Sequence, residues 1–239
     1  MPSLHRLIGA CYRKTDALLR PVLFRREKSL VLRRYPALKP VMEAFEARYV
    51  RVEYGAHDLS LMERIQRQMT DKDEFVYGTT PWHTFLKIAD ALNVQPEDVF
   101  IEPGCGTGHL CFLMNQIYGV EAIGIETIAN FIQTAKTLQK ELAEAPHHLL
   151  SDKLRFYNLD FFTSDFSRGT IFYVAGTCFP DDYRERLYQK IAREAPEGAR
   201  LITLTHAIEH PAFALHDQVA GVFSWGRDKA LIYTKHKKG

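Results

Sequence analysis

The chain has 239 residues, of which 46% are hydrophobic and 25% are charged, and its formal net charge is +2. These values are typical of a folded globular protein and exclude a disordered or fibrous chain, and the length suits one α/β domain with a modest extra element. Because no apolar run is long enough to cross a bilayer and no secretory signal is evident, we expect an intracellular, cytoplasmic protein.

The N-terminal part of the chain is strongly basic. Residues 1–52 carry twelve basic and four acidic side chains, a local charge of +8. Apolar residues recur at helical spacing over residues 4–22, which predicts a basic amphipathic helix, and further helices are predicted over 41–50 and 59–69. The basic face is either solvated or binds an acidic partner, such as nucleic acid, an anionic membrane or an acidic protein. We therefore divide the chain into a basic helical extension, residues 1–70, and a catalytic domain, residues 71–239.

From residue 71 onward, strands and helices alternate, as in a parallel α/β sheet. Two further strands at the end of the chain are joined by the turn-forming residues 226–229, which predicts a closing antiparallel hairpin. A nucleotide-binding dehydrogenase usually continues the parallel winding instead. The predicted strands cover residues 99–102, 122–126, 154–159, 171–174, 201–205, 219–225 and 230–234, and the predicted helices cover residues 80–92, 109–118, 128–143 and 181–195.

A glycine-rich turn follows the first of these strands. Gly104, Gly106 and Gly108 alternate with other residues, and Glu102 lies two places before the first glycine. Glycines in such a turn let the backbone bring its N–H groups against a ligand. The Glu102 carboxylate suits the cationic amino group of a methionine-type ligand, whereas it would repel a pyrophosphate. The spacing G-x-G-x-G also differs from that of dinucleotide folds. The turn predicts an S-adenosyl-L-methionine site, with a dehydrogenase and a purely structural turn as alternatives.

Acidic residues also end the second and third predicted strands. Glu126 is placed to accept both hydroxyls of a ribose, as acidic residues do at the corresponding place in nucleotide-binding folds. Asp160 can accept a hydrogen bond from the amino group of an adenine, and Phe161 can contact the adenine ring. The alternatives are an exposed surface glutamate and a turn-capping aspartate.

Three segments together resemble a known family. They are residues 75–80 (Phe-Val-Tyr-Gly-Thr-Thr), residues 98–108 with the glycine turn, and residues 158–161 (Asn-Leu-Asp-Phe). Over about residues 71–207 the sequence resembles the disruptor-of-telomeric-silencing lysine methyltransferases and their bacterial relatives. The resemblance implies an α/β, Rossmann-like seven-stranded methyltransferase sheet and a protein lysine as methyl acceptor. It also implies that Tyr77, Thr79 and Thr80 close over the methionine end of the cofactor and that His109 lies near the methionine carboxylate.

Two segments depart from the family pattern. Thr79 stands where the family has an acidic residue, and residues 175–179 (Ala-Gly-Thr-Cys-Phe) replace an Asn-Asn-Phe-Ala-Phe stretch on the acceptor side. Amine methylation needs positioning and desolvation and no covalent catalyst. We expect Tyr77 and Thr177 to be the catalytic residues, in a passage that also includes Trp82 and Phe179. A small molecule or RNA as acceptor, and a cofactor-binding scaffold without catalysis, stay as alternatives.

The remaining candidates are the thiols and a histidine-containing loop. The four cysteines show no C-x-x-C pairing, which predicts reduced thiols and no bound metal. Cys178 lies where a cytosine methyltransferase has its nucleophile, but a structural thiol is the favoured interpretation. His206, Glu209 and His210 have a spacing that suggests a metal or a general base, and a solvated loop explains them as well.

Overall fold

The computed structural model describes residues 21–52, 55–69, 77–144, 150–223 and 225–236. The chain is helical over residues 21–34, here called α1. The other helices are α2 Lys39–Phe45, α3 Ala56–Gln66, α4 Trp82–Ala91, α5 His109–Tyr118, α6 Ala129–Glu144 and α7 Asp181–Glu194. The strands are β1 Val99–Pro103, β2 Glu121–Glu126, β3 Leu154–Asn158, β4 Ile171–Val174, β5 Arg200–Leu204, β6 Phe213–Phe223 and β7 Gly226–Lys235.

The seven strands form one sheet in the order β3-β2-β1-β4-β5-β7-β6. Strands β1 to β5 run parallel, and β7 pairs antiparallel with both β5 and β6. This confirms the predicted α/β sheet with its closing hairpin. Short apolar strands that alternate with helices form a parallel sheet because each helix carries the chain back across the sheet.

The bounds predicted for the hairpin were wrong. Strand β6 begins at Phe213, six residues before the predicted start, and the predicted turn at residues 226–229 belongs to β7. Most of β6 is exposed at the sheet edge, and its register shifts between Leu215 and Asp217. The side chains of an exposed edge strand need not alternate between apolar and polar, so its sequence carries little strand signal.

Each face of the sheet carries its own apolar core. Phe100 and Ile101 are neighbours in β1 and point to opposite faces, because successive side chains of a strand alternate. Helices α4, α5 and α6 pack on the Phe100 side, and α7 packs on the Ile101 side. The central parallel strands β1, β4 and β5 are therefore buried on both faces, which accounts for their largely apolar sequences, whereas in the edge strand β3 only Leu154 and Phe156 are buried.

The segment before the sheet shares the first of these cores. Val31, Leu38, Met42 and Phe45 are buried in the same cluster as Trp82. Lys28 pairs with Glu43 and Glu46, and further ion pairs join α1 to α4 and the end of the α2 region to α6. The described segment from Val31 to Phe45 thus contributes to the folded core. Apart from residues 21 and 22, the predicted helix over residues 4–22 lies outside the described residues. No helix in the described ranges is long and apolar enough to span a membrane.

A buried carboxylate fixes the starts of three strands. Asp98 precedes β1 and accepts hydrogen bonds from Gln95 N (2.7 Å), Thr170 Oγ1 (2.6 Å) and the Arg200 guanidinium. Thr170 and Arg200 stand at the starts of β4 and β5. Burial by itself would raise the pKa of Asp98, but these hydrogen bonds and the Arg200 charge outweigh it and hold that pKa below its ordinary value.

We expect Asp98→Asn to lower the free energy of unfolding by about 2–4 kcal/mol at neutral pH, because it leaves the guanidinium of Arg200 without its buried partner. The lowered pKa stabilises the fold at pH values above the ordinary aspartate pKa, and this contribution is lost as the pH falls through the folded value. The difference in the free energy of unfolding between wild-type protein and Asp98→Asn, measured by urea denaturation, should therefore become smaller below about pH 4. Glu141→Gln, which breaks the exposed pair with Arg48, is the control and should cost less than about 1 kcal/mol. Equal costs for the two variants would contradict this role of Asp98.

Candidate functional site

A crevice of about 750 Å³ opens at the carboxyl ends of β1, β2 and β4. Strand β1 is the switch point of the sheet, because the chain continues to β2 on one side and later returns to β4 on the other. Open α/β sheets bind their ligands in this place. The walls of the crevice are Ser60, Tyr77, Gly78, Thr79, Gly104, Gly106, Glu126, Thr127, Ile128, Phe131, Phe161, residues 175–179, Tyr183 and Trp225.

The three glycines of the turn after β1 have positive φ angles, +75°, +51° and +76°. A Cβ on Gly104 would meet only Phe179, at 3.7 Å, whereas a Cβ on Gly106 would lie 2.6 Å from the Tyr77 ring. A Cβ on Gly108 would lie 2.4 Å from the ring of Phe156. Gly104 and Gly106 therefore form part of the crevice wall, while Gly108 lets α5 pack closely on the sheet.

Three N–H groups of the turn are directed at β2, and that of Gly108 donates to the Cys105 carbonyl oxygen within the turn. Gly104 N and Cys105 N donate to the carbonyl oxygen of Ile125, at 2.8 and 3.1 Å, and Gly106 N donates to Glu126 Oε2 at 2.9 Å. For these three groups the structure differs from the expectation that the N–H groups of the turn face a ligand. A phosphate-binding turn keeps its N–H groups free for the anion. Since these are taken, the turn is not built to hold a pyrophosphate.

Glu126 ends β2 and lies in the crevice wall as expected. Its Oε1 accepts hydrogen bonds from Thr127 N (2.7 Å) and Ile128 N (2.9 Å), in addition to the bond from Gly106 to Oε2. Burial raises the pKa of Glu126, and the backbone N–H groups partly offset this rise. Oε2 accepts one hydrogen bond and keeps a lone pair for a hydroxyl donor in the crevice.

Glu102 lies in β1, two residues before the turn begins at Gly104, is 5% exposed and is not among the residues that line the crevice or the second cavity. Among the described residues its hydrogen-bond donor is the Cys111 thiol, at 3.4 Å. Burial raises the pKa of Glu102 well above its ordinary value, and the nearby charge of Glu126 adds to the effect. A buried carboxylate with one weak donor would gain most from a cation. The buried Glu102 carboxylate therefore fits the cationic amino group of a methionine-type ligand.

Tyr77 stands between the crevice and a second cavity of about 880 Å³, and both contain Thr79 in their walls. The ring of Tyr77 packs against Phe131, with ring centroids 5.1 Å apart. Burial raises the pKa of Tyr77, and interactions of its hydroxyl with Thr107 and Thr79 partly offset the rise. Tyr77 therefore stays protonated near neutral pH and acts as a hydrogen-bonding and packing group.

Two residues expected at the methionine end, Thr80 and His109, line the second cavity and not the crevice. His109 Nε2 lies 2.8 Å from the Thr80 carbonyl oxygen, and Nδ1 lies 3.2 Å from Thr107 Oγ1. The Thr80 hydroxyl is 2.6 Å from the hydroxyl of Tyr173. Burial lowers the pKa of His109, so its ring is neutral. A neutral ring next to a carbonyl acceptor donates from Nε2, and the histidine joins the start of α5 to the loop before α4.

Of the neighbours Asp160 and Phe161, only Phe161 lines the crevice. Asp160 Oδ1 accepts the N–H of Phe162 at 2.9 Å and caps a 3₁₀ turn, and Asp160 is not in the crevice wall. Phe161 is in the wall and packs against Phe179 and Tyr183, with centroids 6.0 and 5.7 Å apart. Phe161 is therefore the member of this pair that is placed to contact a ring in the crevice, and the adenine role of Asp160 stays a prediction.

Most residues expected on the acceptor side line the crevice, but Trp225 lies in the wall in place of the expected Trp82. Thr177, Cys178 and Phe179 line the crevice. Trp82 does not, because it is buried between Phe45 and His109, with centroids 5.4 and 5.2 Å away. The C-terminal hairpin supplies a tryptophan instead. Trp225 stacks on Phe223 at 4.9 Å, and its indole N–H donates to Asp228 Oδ2 at 3.1 Å.

Several residues of the wall were missed from the sequence. Thr127, Ile128 and Phe131 follow β2, and Tyr183 is in the first turn of α7, which follows β4. The general rule that the segment after a central strand faces the crevice would have found these four residues. Ser60 and Trp225 had no such signal, because they lie on elements remote in sequence. Within the described ranges, no group of three or more His, Cys, Asp or Glu side chains is placed to hold a metal ion.

A sequence comparison matches residues 61–224 to the family model described as "Histone methylation protein DOT1". The chain is also 25% identical over 118 residues to the histone-lysine N-methyltransferase, H3 lysine-79 specific, of Dictyostelium discoideum. This match covers 46% of the chain but 6% of the much longer relative.

Solved structures with a similar fold include an RNA methyltransferase from Salinibacter ruber in complex with S-adenosyl-L-homocysteine, with a TM-score of 0.56 and 19% identity over 67% of this chain and 95% of that one. The magnesium protoporphyrin IX methyltransferase of Synechocystis PCC 6803 gives a TM-score of 0.51 and 14% identity, over 74% and 97% of the two chains. At these identities the likeness shows the fold alone. It confirms the Rossmann-like seven-stranded sheet of methyltransferases.

The glycines of the turn allow a test of their separate roles. We expect Gly108→Ala to lower the free energy of unfolding by about 1–3 kcal/mol more than Gly119→Ala, because its Cβ must displace the Phe156 ring. Gly119 ends α5 with a similar φ of +66°, and a Cβ added there would meet no atom within 4 Å, so Gly119→Ala isolates the cost of backbone strain. Urea denaturation of both variants gives the comparison. If the two lose equal stability, packing on Phe156 does not explain Gly108.

Proposed function

The chain belongs to the family of the histone methylation protein DOT1, and from this membership and the crevice we propose that it is an S-adenosyl-L-methionine-dependent methyltransferase that acts on the side-chain amine of a protein lysine. One observation carries the assignment of the cofactor. The glycine turn gives three of its N–H groups to the end of β2, and it lies between a buried carboxylate in β1, Glu102, and a second one in the crevice wall, Glu126. This arrangement suits a cationic nucleoside and not a dinucleotide.

Four groups of the chain would hold the cofactor. Glu126 accepts hydroxyls of the ribose, Phe161 packs on the adenine, and Glu102 attracts the methionine amino group. Gly104 leaves room for the ligand against the turn. When bound, the cofactor supplies an electrophilic methyl group on a positively charged sulfur.

The other walls suit an amine acceptor. Tyr77, Phe179 and Trp225 are aromatic, and the crevice contains one carboxylate, Glu126, among its described residues. An ammonium group that enters aromatic surroundings loses hydration, which lowers its pKa and favours the neutral, nucleophilic amine. Tyr77, kept protonated by burial, orients the acceptor through its hydroxyl, and Thr177 offers a second hydroxyl on the acceptor side. Alignment and exclusion of water then suffice for transfer.

The basic N-terminal segment is a candidate binding surface for an acidic region of the methyl acceptor or of its surroundings. Arg25, Arg26, Arg33 and Lys39 make no ion pair among the described residues, whereas Lys28 and others are paired within the fold. The charges of these four side chains add to those of residues 1–20. We include in the proposal that this surface attracts an acidic region of the acceptor or of its surroundings.

We expect Glu126→Ala to weaken S-adenosylhomocysteine binding by a factor of roughly 10–100, since a charge-assisted contact contributes about 1.5–3 kcal/mol. Cys178→Ala should leave the affinity within about twofold, because the exposed thiol lies on the acceptor side. Titration calorimetry measures both, and circular dichroism checks that each variant is folded. Equal affinities for the two variants would show that Glu126 does not bind the ribose.

The acceptor class is tested with purified protein and methyl-labelled S-adenosylmethionine, offered core histones, total RNA or a small-molecule extract. We expect label in protein, located on lysine by peptide mass spectrometry. For histones presented in nucleosomes, whose DNA supplies an acidic surface, the apparent KM should rise as salt screens the basic segment. Trp225→Ala should raise the KM for protein without changing cofactor affinity. Label in RNA that depends on Cys178, together with a covalent adduct, would replace lysine by cytosine as acceptor. Label in the small-molecule fraction alone would also contradict the proposal.

A further inference from the structure

Helix α3 is fastened to the start of α6, directly after Glu126. The two carboxylate oxygens of Glu63 accept the N–H groups of Ala129 (2.7 Å) and Asn130 (2.9 Å). Arg67 donates to the carbonyl oxygen of Thr127 at 2.7 Å. An acidic side chain at a helix N-terminus satisfies free N–H groups and complements the helix dipole. Helix α3 is therefore held as one wall of the crevice on the β2 side.

Ser60 lies on this helix one turn before Glu63 and lines the crevice together with Glu126 and Thr127. Ser60 is 1% exposed, and its hydroxyl has no hydrogen-bond partner within the part of the chain that the structure describes. A buried hydroxyl without a partner destabilises a protein, and alanine is the better helix former at such a position. A serine here is therefore unfavourable for the protein alone, and a ligand in the crevice would supply its partner.

We propose that Ser60 is a cofactor-binding residue whose hydroxyl hydrogen-bonds a ribose hydroxyl of the ligand seated against Glu126. The inference rests on the proposed function and adds a binding element to it. The ribose is the appropriate group because Ser60 neighbours the segment after β2, whereas the acceptor-side residues 175–179 follow β4, across β1. The family match begins at residue 61, so Ser60 lies just outside the matched residues.

The test compares Ser60→Ala with Ser164→Ala. Ser164 also has a buried hydroxyl without a partner among the described residues, but it lies outside the crevice wall. Both substitutions remove an unsatisfied hydroxyl, so neither should lower the melting temperature of the ligand-free protein, and Ser60→Ala should raise it by roughly 2–4 °C. Ser60→Ala should weaken S-adenosylhomocysteine binding about threefold to tenfold in calorimetry, and Ser164→Ala should not change it.

Analogues of S-adenosylhomocysteine that lack the 2′- or the 3′-hydroxyl identify the contacted group. For the analogue without that hydroxyl, wild-type protein and Ser60→Ala should bind equally. Equal binding of S-adenosylhomocysteine itself by the two proteins would overturn the role of Ser60, and so would a loss that persists with both analogues. A folded wild-type protein that does not bind S-adenosylhomocysteine at all would refute the proposed function instead, which keeps the two failures distinguishable.

Discussion

The carboxylate of Glu126 is the contact on which the rest of the site depends. It accepts the N–H of Gly106 from the turn after β1 and the N–H groups of Thr127 and Ile128 at the entry to α6. One side chain thus sets the glycine turn, the end of β2 and the start of a helix relative to one another. Helix α3 then docks on that helix start through Glu63. A ribose contact by Glu126 would be made by a group that the fold has already oriented, which reduces the entropy lost on binding.

Elements whose folding is local could be predicted from the sequence, and contacts between remote elements could not. The apolar or alternating patterns of β1 to β5 and the glycine spacing depend on neighbouring residues, and they predicted the sheet and the place of the crevice. The exchange of Trp82 for Trp225 shows the limit of this approach. Both are single aromatic residues near motif segments, and only the packing of α4 against α2 and the position of the hairpin decide which one lines the crevice. The contact of His109 with Thr80, which lies 29 residues earlier, is likewise not predictable from the sequence, and the place of His109 near the methionine carboxylate stays a prediction.

Gly106 shows how one residue serves both halves of the site. Its positive φ permits the turn, and the absence of a Cβ leaves space for the ring of Tyr77. A Cβ on Gly106 would lie 2.6 Å from that ring. Tyr77 in turn forms a wall common to the crevice and the second cavity. The predicted cofactor-binding residues are thereby divided between two adjoining spaces, with Glu126 and Phe161 on one side of the tyrosine and Thr80 and His109 on the other.

Two polar groups around the crevice carry a cost that packing does not explain. Glu102 has a raised pKa because of its burial, so the unfolded chain loses the proton more readily than the folded one. Its contribution to stability therefore falls as the pH rises above the ordinary glutamate value, and at neutral pH it destabilises the fold. Ser60 adds the cost of a buried hydroxyl without a partner among the described residues. An apolar residue in either position would avoid these costs. Since both costs would be offset by one ligand with a cationic and a hydroxyl-bearing part, the destabilising residues identify the ligand's chemistry as clearly as the stabilising ones.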